Sequence, residues 1–485
     1  MSPFAARGSR PMTFAVLTVA VISFVLLQSL VVPVLAETQR EFGTDQATTT
    51  WVLTAYLLSA SICTPLLGRF GDAVGKRRML VITLAALAAG SLVAALAPSI
   101  EWLIVARVVQ GAGGGVLPLA FGIIRDEFRE RMTTAISVLS SLTAVGFGAG
   151  IVLAGPIVGT LGYDWLYWLP MIATSLAALA ALLYVPESPV RTPGRLPVLP
   201  AVLLAVWLVA LLLGLSEGNT WGWTSARVLG LFVVAVVGAT TWVLVERRVP
   251  VPMIDMRMMR LRGVWTTNLV ALFVGFGTFA SFGFLPQFLQ TPSAAGYGFD
   301  ATISESGRLL VPSALASFVV GFSTARLVRS FGARRVILTG AVLTGLAFFS
   351  IALWHDATWQ LYAATTLQGV GSGLVFSSLA GVVVMSVPPE QTGVASGMNA
   401  NIRTIGGSLG SAVMAGIVTA QVGPLGIPEE SGYTVGFAVL GVAMLLAAAG
   451  AAFVPDLRRS GTSGPLEDAD NAELGYVPAA STQQT

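Results

Sequence analysis

The chain has 485 residues, of which 55% are hydrophobic and only 11% are charged, against about 25% charged residues in an average soluble domain. The 27 basic and 24 acidic residues leave a net charge of +3, and the mean hydropathy is +0.80. Because so few charges could not cover the surface of a soluble fold, the sequence predicts an all-α protein embedded in a lipid bilayer, with no nucleic-acid partner.

The composition also excludes several chemistries. A single cysteine, Cys63, permits no intrachain disulfide, and a single histidine, His355, excludes a histidine-cluster metal site. The only lysine, Lys76, is followed by Arg77, so the sequence contains no phosphate-binding loop of the Gly-Lys-Ser/Thr type. We therefore expect no metal, no cofactor and no enzymatic activity. A polytopic membrane enzyme, the competing class, would need clustered His, Cys or carboxylate groups at membrane depth.

Apolar runs of about 20 residues, the length that a helix needs to cross a bilayer, occur about fourteen times. The first run is too long for the apolar core of a signal peptide, so we interpret it as a retained helix. The predicted spans cover 12–36, 49–68, 79–97, 101–123, 132–157, 166–185, 197–216, 226–245, 264–289, 307–328, 336–353, 359–385, 397–421 and 434–454.

An even number of spans places both termini on one side of the membrane. Most basic residues then fall in loops on that side, which is typical of the cytoplasmic side. We therefore predict a multi-pass plasma-membrane protein with a cytoplasmic N-terminus (1–11) and a disordered, acidic cytoplasmic tail (456–485). One Lys among 27 basic residues, in an Ala- and Gly-rich chain, favours a bacterial source.

Short patterns recur about 260 residues apart, a distance that corresponds to eight spans. The economical interpretation is two six-helix halves, 12–185 and 264–454, related by an axis along the membrane normal, with two helices (197–245) inserted between them. The recurring patterns are Gln110-Gly111-x-Gly113 with Gln368-Gly369-x-Gly371, the pair Gly146 and Gly150 with Gly406 and Gly410, and GDAVGKRR (71–78) with RSFGARR (329–335).

Three motifs carry a family resemblance. The segment GRFGDAVGKRR (68–78) resembles the loop signature of the major facilitator superfamily, and the matching residues are Gly68, Asp72, Gly75, Lys76, Arg77 and Arg78. Span 4 carries Arg107, Gln110, Gly111 and Gly113, which resemble the family's span-4 motif. Span 5 ends in Gly155-Pro156-x-x-Gly159, which is similar to the antiporter signature of its exporters.

The number of spans, fourteen, is similar to that of the branch of drug:proton antiporters that has two extra central helices. The resemblance implies a secondary transporter, functional as a monomer, whose partners are a small-molecule substrate and protons. It would export amphipathic drugs or antibiotics by alternating access; the alternative is a proton-coupled uptake symporter. The sequence departs from the pattern at two places. The stretch of span 1 where that branch carries an Asp (24–35) has no acidic residue and contains Gln28 as a polar group, and Ile151 replaces an expected Gly.

Arg107 lies within an apolar span, where an unpaired guanidinium costs several kcal/mol. Gln110 follows one helical turn later and shares its face. We predict that Arg107 and Gln110 face a hydrated cavity and take part in transport or proton coupling. The alternative is a structural Arg bound to backbone carbonyl groups.

Asp72 is predicted to act as a conformational latch together with the rest of its motif. A carboxylate in that turn can accept hydrogen bonds from the N-terminus of a neighbouring span, or pair with an Arg such as Arg129 or Arg131. Breaking such a contact would shift the balance between inward-open and outward-open states. The alternative is a solvated charge that only sets topology.

Span 5 presents small residues, which allow close helix packing in lipid. We predict that its face contacts a helix of the other half, and that the proline kinks or ends the helix. Generic close packing is the alternative. The residues are Gly146, Gly150, Gly155, Pro156 and Gly159.

The remaining polar and aromatic residues of the spans are candidates for the wall of a substrate cavity. The alternatives are interhelical hydrogen bonds for the amides, a lipid-facing stripe for the aromatic residue and a snorkelling side chain for the arginine. The candidates are Gln28, Asn268, Phe276, Gln287, Asn399 and Arg403. No Asp or Glu is predicted deep within a span, so the residue that carries the proton is left open.

Overall fold

The structure, a computed structural model, describes residues 9–44, 46–128, 130–188, 198–249, 252–420 and 427–456. It is all-α, as predicted. The helices are α1 (Arg10–Leu30), α2 (Leu35–Glu41), α3 (Gln46–Val74), α4 (Lys76–Ala95), α5 (Ile100–Gln110), α6 (Val116–Glu127), α7 (Met132–Leu161), α8 (Trp165–Tyr184), α9 (Val198–Trp221), α10 (Ala226–Glu246), α11 (Met256–Arg260), α12 (Arg262–Gln290), α13 (Ile303–Phe331), α14 (Ala333–Leu353), α15 (Thr358–Met385), α16 (Thr392–Val418) and α17 (Glu430–Ala451). Most of the predicted terminal segments, and Arg129, lie outside the described residues.

Thirteen helical segments of the described chain are long and apolar enough to cross a membrane. One of them is α5 and α6 together, which continue into each other through a 3₁₀ segment, Gly111–Gly115. The remaining predicted span, 397–421, corresponds to α16, which has 27 residues but is more polar, since it carries Asn399, Asn401 and Arg403. Every predicted span therefore overlaps a long helix.

The turn after the second span is shorter than the sequence predicts. Helix α3 continues to Val74, so Asp72 lies in its last turn rather than in a loop. Only Gly75 interrupts the helix, with φ at +129°, a backbone conformation that side chains other than hydrogen rarely allow. Helix α4 then begins at Lys76.

The packing of one half repeats in the other. In the N-terminal half, α1 packs against α7 and α8, α4 packs against α5 and α8, and α3 packs against α5. The C-terminal half has the matching set, with α12 against α16 and α17, α14 against α15 and α17, and α13 against α15. The repeated patterns in the sequence therefore correspond to a repeated arrangement of helices.

Two pairs of helices form most of the contact between the halves. Helix α3 packs against α16, and α7 packs against α13, with further contact between α7 and α15. The helices α9 and α10 pack mainly against each other, and α9 also contacts α3 and α16. The central helix pair therefore lies over the seam between α3 and α16.

Candidate functional site

A cavity of about 380 Å³ lies between the two halves, bordered by α1, α3, α5, α7, α9, α12 and α16. Helix α1 begins and α17 ends at one face of the helix bundle, and the cavity lies nearer to the other face. We call the face with the chain ends the terminal face, and the other the opposite face. Most of the lining is apolar, and its polar members are Gln28, Thr54, Tyr56, Arg107, Ser216, Asn219, Thr404, Ser408 and Ser411.

Two smaller cavities continue this space toward the terminal face. The middle one, of about 110 Å³, shares Gln28, Phe147, Phe279 and Phe282 with the large cavity. The rings of Phe147 and Phe282 stack across the halves with their centroids 4.9 Å apart. The innermost cavity, of about 30 Å³, shares Arg403 with the middle one. The three cavities thus form a column between the halves.

Charge in this column is of one sign. Its lining includes the guanidinium groups of Arg107 and Arg403, and none of the described residues that line the three cavities is Asp or Glu. The described chain also contains no group of three or more metal-ligating side chains. The site therefore offers apolar binding surface and positive charge.

Arg107 borders the large cavity while being tied to the protein. Its Nε donates a hydrogen bond to the Val52 carbonyl oxygen at 3.1 Å, and its Nη1 donates to Gln110 Oε1 at 2.8 Å. Gln110 in turn donates to the hydroxyl of Ser91 at 3.1 Å. Arg107 therefore lies in the cavity wall, as predicted, and is also bound to a backbone carbonyl group, as the structural alternative predicts.

The guanidinium of Arg107 lies over the ring of Tyr56, a second residue of the cavity wall. The guanidinium carbon of Arg107 lies 4.4 Å from the centroid of the tyrosine ring, a cation–π distance. Arg107 is 0% exposed and Tyr56 only 2%. Both side chains therefore belong to the cavity wall while being almost inaccessible.

The predicted lining residues divide into two groups. Gln28 lies on the wall of both larger cavities, and Asn399 and Arg403 border the innermost one. Asn399 also donates a hydrogen bond to Asn268 Oδ1 at 2.9 Å, so Asn268 serves the contact between α12 and α16.

Phe276 and Gln287 line none of the three cavities. The backbone of Phe276 is in close contact with Gly410 of α16, and Gln287 is exposed. Phe279 and Phe282, one and two turns further along α12, line the cavity instead. An almost uniformly apolar helix gives no periodic signal that would tell these faces apart.

The terminal face is closed by a contact between the halves at Asp72. Its Oδ2 accepts hydrogen bonds from the backbone N–H groups of Gly393 and Val394, at 3.1 and 3.3 Å. These groups belong to the first turn of α16, where a carboxylate is favoured by the free N–H groups and the helix dipole. Of the two predicted kinds of partner, Asp72 therefore contacts the helix N-terminus.

Two glycines permit this approach. A Cβ atom on Gly68 would lie 2.5 Å from the Gly393 carbonyl oxygen, and one on Gly393 would lie 2.6 Å from the Gly68 oxygen. Since real Cβ atoms do not approach that closely, both positions depend on the absence of a side chain.

The basic residues of the same motif act within the N-terminal half. Lys76 forms a buried ion pair with Asp126 at 2.9 Å, linking α4 to α6. Arg78 lies 3.7 Å from Glu187, beyond the end of α8, while Arg77 is half-buried. Within this motif, the side chain of Asp72 bonds to the other half, whereas Lys76 and Arg78 pair with carboxylates outside it.

A second contact at the terminal face was not predicted. Arg125 Nη1 donates to the Val384 carbonyl oxygen and to the Thr392 hydroxyl, both at 2.7 Å. These acceptors lie at the junction of α15 and α16 in the other half. The sequence shows Arg125 only as one of many basic residues near a span end, so no local pattern identifies this role.

The glycines of α7 contact two different helices. Gly146 and Gly150 lie against Val25 and Ser29 of α1, within the same half. Gly155 lies against Ser304 of α13, in the other half. The predicted contact between halves therefore applies to Gly155 and not to the first two glycines.

The last residues of the span-5 motif have fewer close neighbours than its first glycines. A Cβ atom on Gly159 would have no neighbour within 4 Å. Pro156 does not end the helix, since α7 continues to Leu161.

The central helix α9 also contributes to the large cavity, which the sequence did not indicate. Ser216 and Thr54 of α3 share a hydrogen bond of 3.2 Å. Asn219 donates to the Ala412 carbonyl oxygen of α16 at 3.2 Å. The polar residues near the end of α9 were the available signal for this contact.

Comparisons with known proteins agree with this architecture. The chain is 30% identical to the cephamycin export protein CmcT of Amycolatopsis lactamdurans over 90% of this chain and 91% of that one. It is 26% identical to the tetracenomycin C resistance and export protein of Streptomyces glaucescens, over 98% and 84% of the two chains. It is 29% identical to the multidrug resistance protein B homolog of Mycobacterium tuberculosis (strain CDC 1551 / Oshkosh), over 79% and 71%.

The fold is shared with a solved structure. The crystal structure of the human organic anion transporter MFSD10 (TETRAN) superimposes with a TM-score of 0.64 and 17% identity, covering 93% of this chain and 100% of that one. The sequence profile of the Major Facilitator Superfamily matches residues 17–291 and 267–480. The predicted resemblance is therefore confirmed, and the chain belongs to the Major Facilitator Superfamily of membrane transporters.

Proposed function

We propose that this protein is a drug or antibiotic exporter that works by alternating access as a proton-coupled antiporter and has no enzymatic activity. It would act as a monomer in the plasma membrane, with the terminal face and both chain ends in the cytoplasm. The substrate would be a small amphipathic molecule held between the two halves.

One observation carries this proposal. The terminal face is closed by contacts of Asp72 and Arg125 across the halves, while the largest of the three cavities lies in the half of the bundle near the opposite face. Two similar halves around a central cavity that is closed at one end have the geometry of one end state of alternating access. Breaking the terminal-face contacts would allow the other end state.

The direction of transport is supported by the relatives. Two of those described above have export in their names, one for cephamycin and one for tetracenomycin C. The alternative, proton-coupled uptake, would use the same cavity and the same latch. The two directions differ in their effect on drug tolerance, which an expression experiment measures.

Coupling to protons requires a group that gains or loses a proton as the protein changes state. None of the described cavity-lining residues is a carboxylic acid, whereas Asp72 lies at the contact that must open. A proton on Asp72 would remove the charge that the N-terminus of α16 stabilises, and so would favour opening. We therefore place the coupling at the latch rather than in the cavity.

Expression in an efflux-deficient bacterial host tests the proposal. We expect tolerance to a panel of antibiotics to rise, and Asp72→Asn to remove the gain because its side chain carries no charge. Asp356→Asn, at an exposed position near the opposite face, is the matched control and should keep full activity.

Dye uptake into inverted vesicles with an imposed pH gradient tests the driving force. Uptake should collapse when an uncoupler is added. Unchanged tolerance together with substrate-dependent growth would instead favour the uptake symporter, and transport that persists with the uncoupler would contradict proton coupling.

A further inference from the structure

Two neighbouring hydrogen-bond donors in the cavity wall have no acceptor. Nη2 of Arg107 and the hydroxyl of Tyr56 are both buried, and neither has a hydrogen-bond partner among the described residues. A guanidinium can only donate, and the hydroxyl beside it can donate as well. Buried polar groups without a partner are costly, so this corner of the cavity is suited to a group that only accepts.

The positive charges of the cavity column have no negative partner among the described residues. No ion pair in the described part of the chain includes Arg107 or Arg403, although both border the cavity column. Arg107 is held by neutral groups, the Val52 carbonyl and the Gln110 amide. A positive charge at membrane depth normally has a partner or water around it. The column therefore has a field that attracts anions and repels cations.

An apolar surface lies next to this positive corner. Phe147, Phe279 and Phe282 border the large and the middle cavity, and Phe284 borders the large one. A cavity of about 380 Å³ has room for a drug-sized molecule. A ligand with one charged end and one aromatic body would match both features.

We propose, on the basis of the export function above, that the substrates are amphipathic carboxylates, whose carboxylate binds Arg107 and Tyr56 while the apolar body lies along the phenylalanines. The two carboxylate oxygens accept from Nη2 of Arg107 and from the tyrosine hydroxyl. Because both side chains are almost inaccessible in this state, the ligand binds with a rotation of the Tyr56 side chain. Arg403, deeper in the column, is a second site for the same charge.

A head-group series tests this inference by binding, without any gradient. The full-length protein in lipid nanodiscs is titrated with 4-(1-pyrenyl)butyrate, its primary amide and 4-(1-pyrenyl)butylamine, which share one apolar body but differ in charge. Energy transfer from tryptophan to pyrene reports occupancy, with empty nanodiscs subtracted. We expect the butyrate to bind at least about ten times more tightly than the amine, and several times more tightly than the amide.

Variants locate the site. Arg107→Gln should reduce butyrate affinity several-fold, to about the level of the amide, and change amide binding little. Tyr56→Phe keeps the ring but removes one donor, and should weaken the butyrate about threefold. Arg308→Gln, a variant of an exposed arginine, is the matched control and should leave all three affinities unchanged.

Two results would overturn the inference: an amine or amide that binds the wild type as tightly as the butyrate, or an equal loss for all three probes in Arg107→Gln. If that variant does not fold, the head-group series on the wild type and Tyr56→Phe decide. Equal binding of the three probes by a protein that still confers drug tolerance would refute only the charge preference. Charge-selective binding without tolerance would refute only the export proposal.

Discussion

The same turn occurs in both halves, but only one copy forms a latch. In the N-terminal half, Gly75 separates α3 from α4 at a φ of +129°, and Asp72 lies three residues before it. In the C-terminal half, Gly332 separates α13 from α14 at a φ of +84°, and Arg329 occupies the matching place and is exposed. An arginine cannot accept hydrogen bonds from a helix N-terminus, so the repeat preserves the turn without preserving its function.

The other seam between the halves depends on neutral contacts. The hydroxyl groups of Ser141 on α7 and Ser377 on α15 lie 2.9 Å apart, and Ser377 donates to the Ser137 carbonyl oxygen at 3.2 Å. Gly148 lies against Ala314 of α13. The α3–α16 seam therefore combines a charged contact with close glycine packing, whereas the seam of α7 with α13 and α15 depends on close packing and hydrogen bonds between neutral groups.

The largest effect is expected when the charged latch is removed. Asp72→Ala should reduce transport at least about tenfold, because the N–H groups of Gly393 and Val394 lose their acceptor and the closed terminal face loses a contact to a charged group. Arg329→Ala, at the matching place of the other half, is the control and should keep more than half of the activity. Drug tolerance of cells with equal amounts of membrane-inserted protein measures both.

Labelling shows whether the terminal face has opened. In a Cys63→Ser background, a Ser396→Cys label site borders the innermost cavity. Asp72→Ala should raise its reaction rate with an impermeant maleimide in inverted vesicles at least about threefold. Equal rates with and without the substitution would contradict the latch, even if transport is lost.

The glycine contact provides the second test. Gly393→Ala should reduce transport nearly as much as Asp72→Ala, since the new Cβ would lie 2.6 Å from the Gly68 carbonyl oxygen and push α16 away from α3. Gly159→Ala is the matched control, because nothing lies within 4 Å of its added Cβ. A similar loss in both variants would show that helix propensity or expression, and not this contact, controls the effect.

Features that depend on neighbouring residues in the sequence are predicted well, and contacts between distant helices are not. The fourteen spans and the repeat are predictable because each span carries its own apolar composition. That Asp72 needs a helix N-terminus or an arginine follows from its charge. That the helix is α16, more than 300 residues further on, depends on how the halves pack, and no local pattern records it.

In a uniformly apolar helix, the sequence also does not show which side faces the cavity or the other half. Gly146 and Gly155 give the same small-residue signal, yet one faces α1 and the other α13. Phe276 and Phe279 are adjacent in an apolar stripe, and only Phe279 lines the cavity. In these helices neighbouring elements decide which side is buried, because lipid and protein interior favour the same residues.

Arg125 should have an intermediate effect. Arg125→Gln removes the charge that holds the Val384 carbonyl and the Thr392 hydroxyl, but it leaves the Asp72 contact intact. We expect transport to fall about threefold and maleimide labelling at the terminal face to rise less than in Asp72→Ala. A loss as large as that of Asp72→Ala would mean that the two contacts act as one unit, which a double variant with no additional loss would confirm.

The smallest effect is expected at the neutral seam. Ser141→Ala removes one hydroxyl from the pair with Ser377, and hydrogen bonds between helices in membranes contribute on average about 0.6 kcal/mol. Transport should therefore stay within about twofold of wild type, and thermal unfolding in detergent should shift only slightly. Ser141→Leu is the contrasting variant, because Gly321 lies directly against this side chain and leaves no room for a larger one. If Ser141→Ala instead abolished transport while Ser141→Leu did not, the hydroxyl pair would be essential to the seam of α7 with α13 and α15. That result would contradict the proposed difference between the two seams.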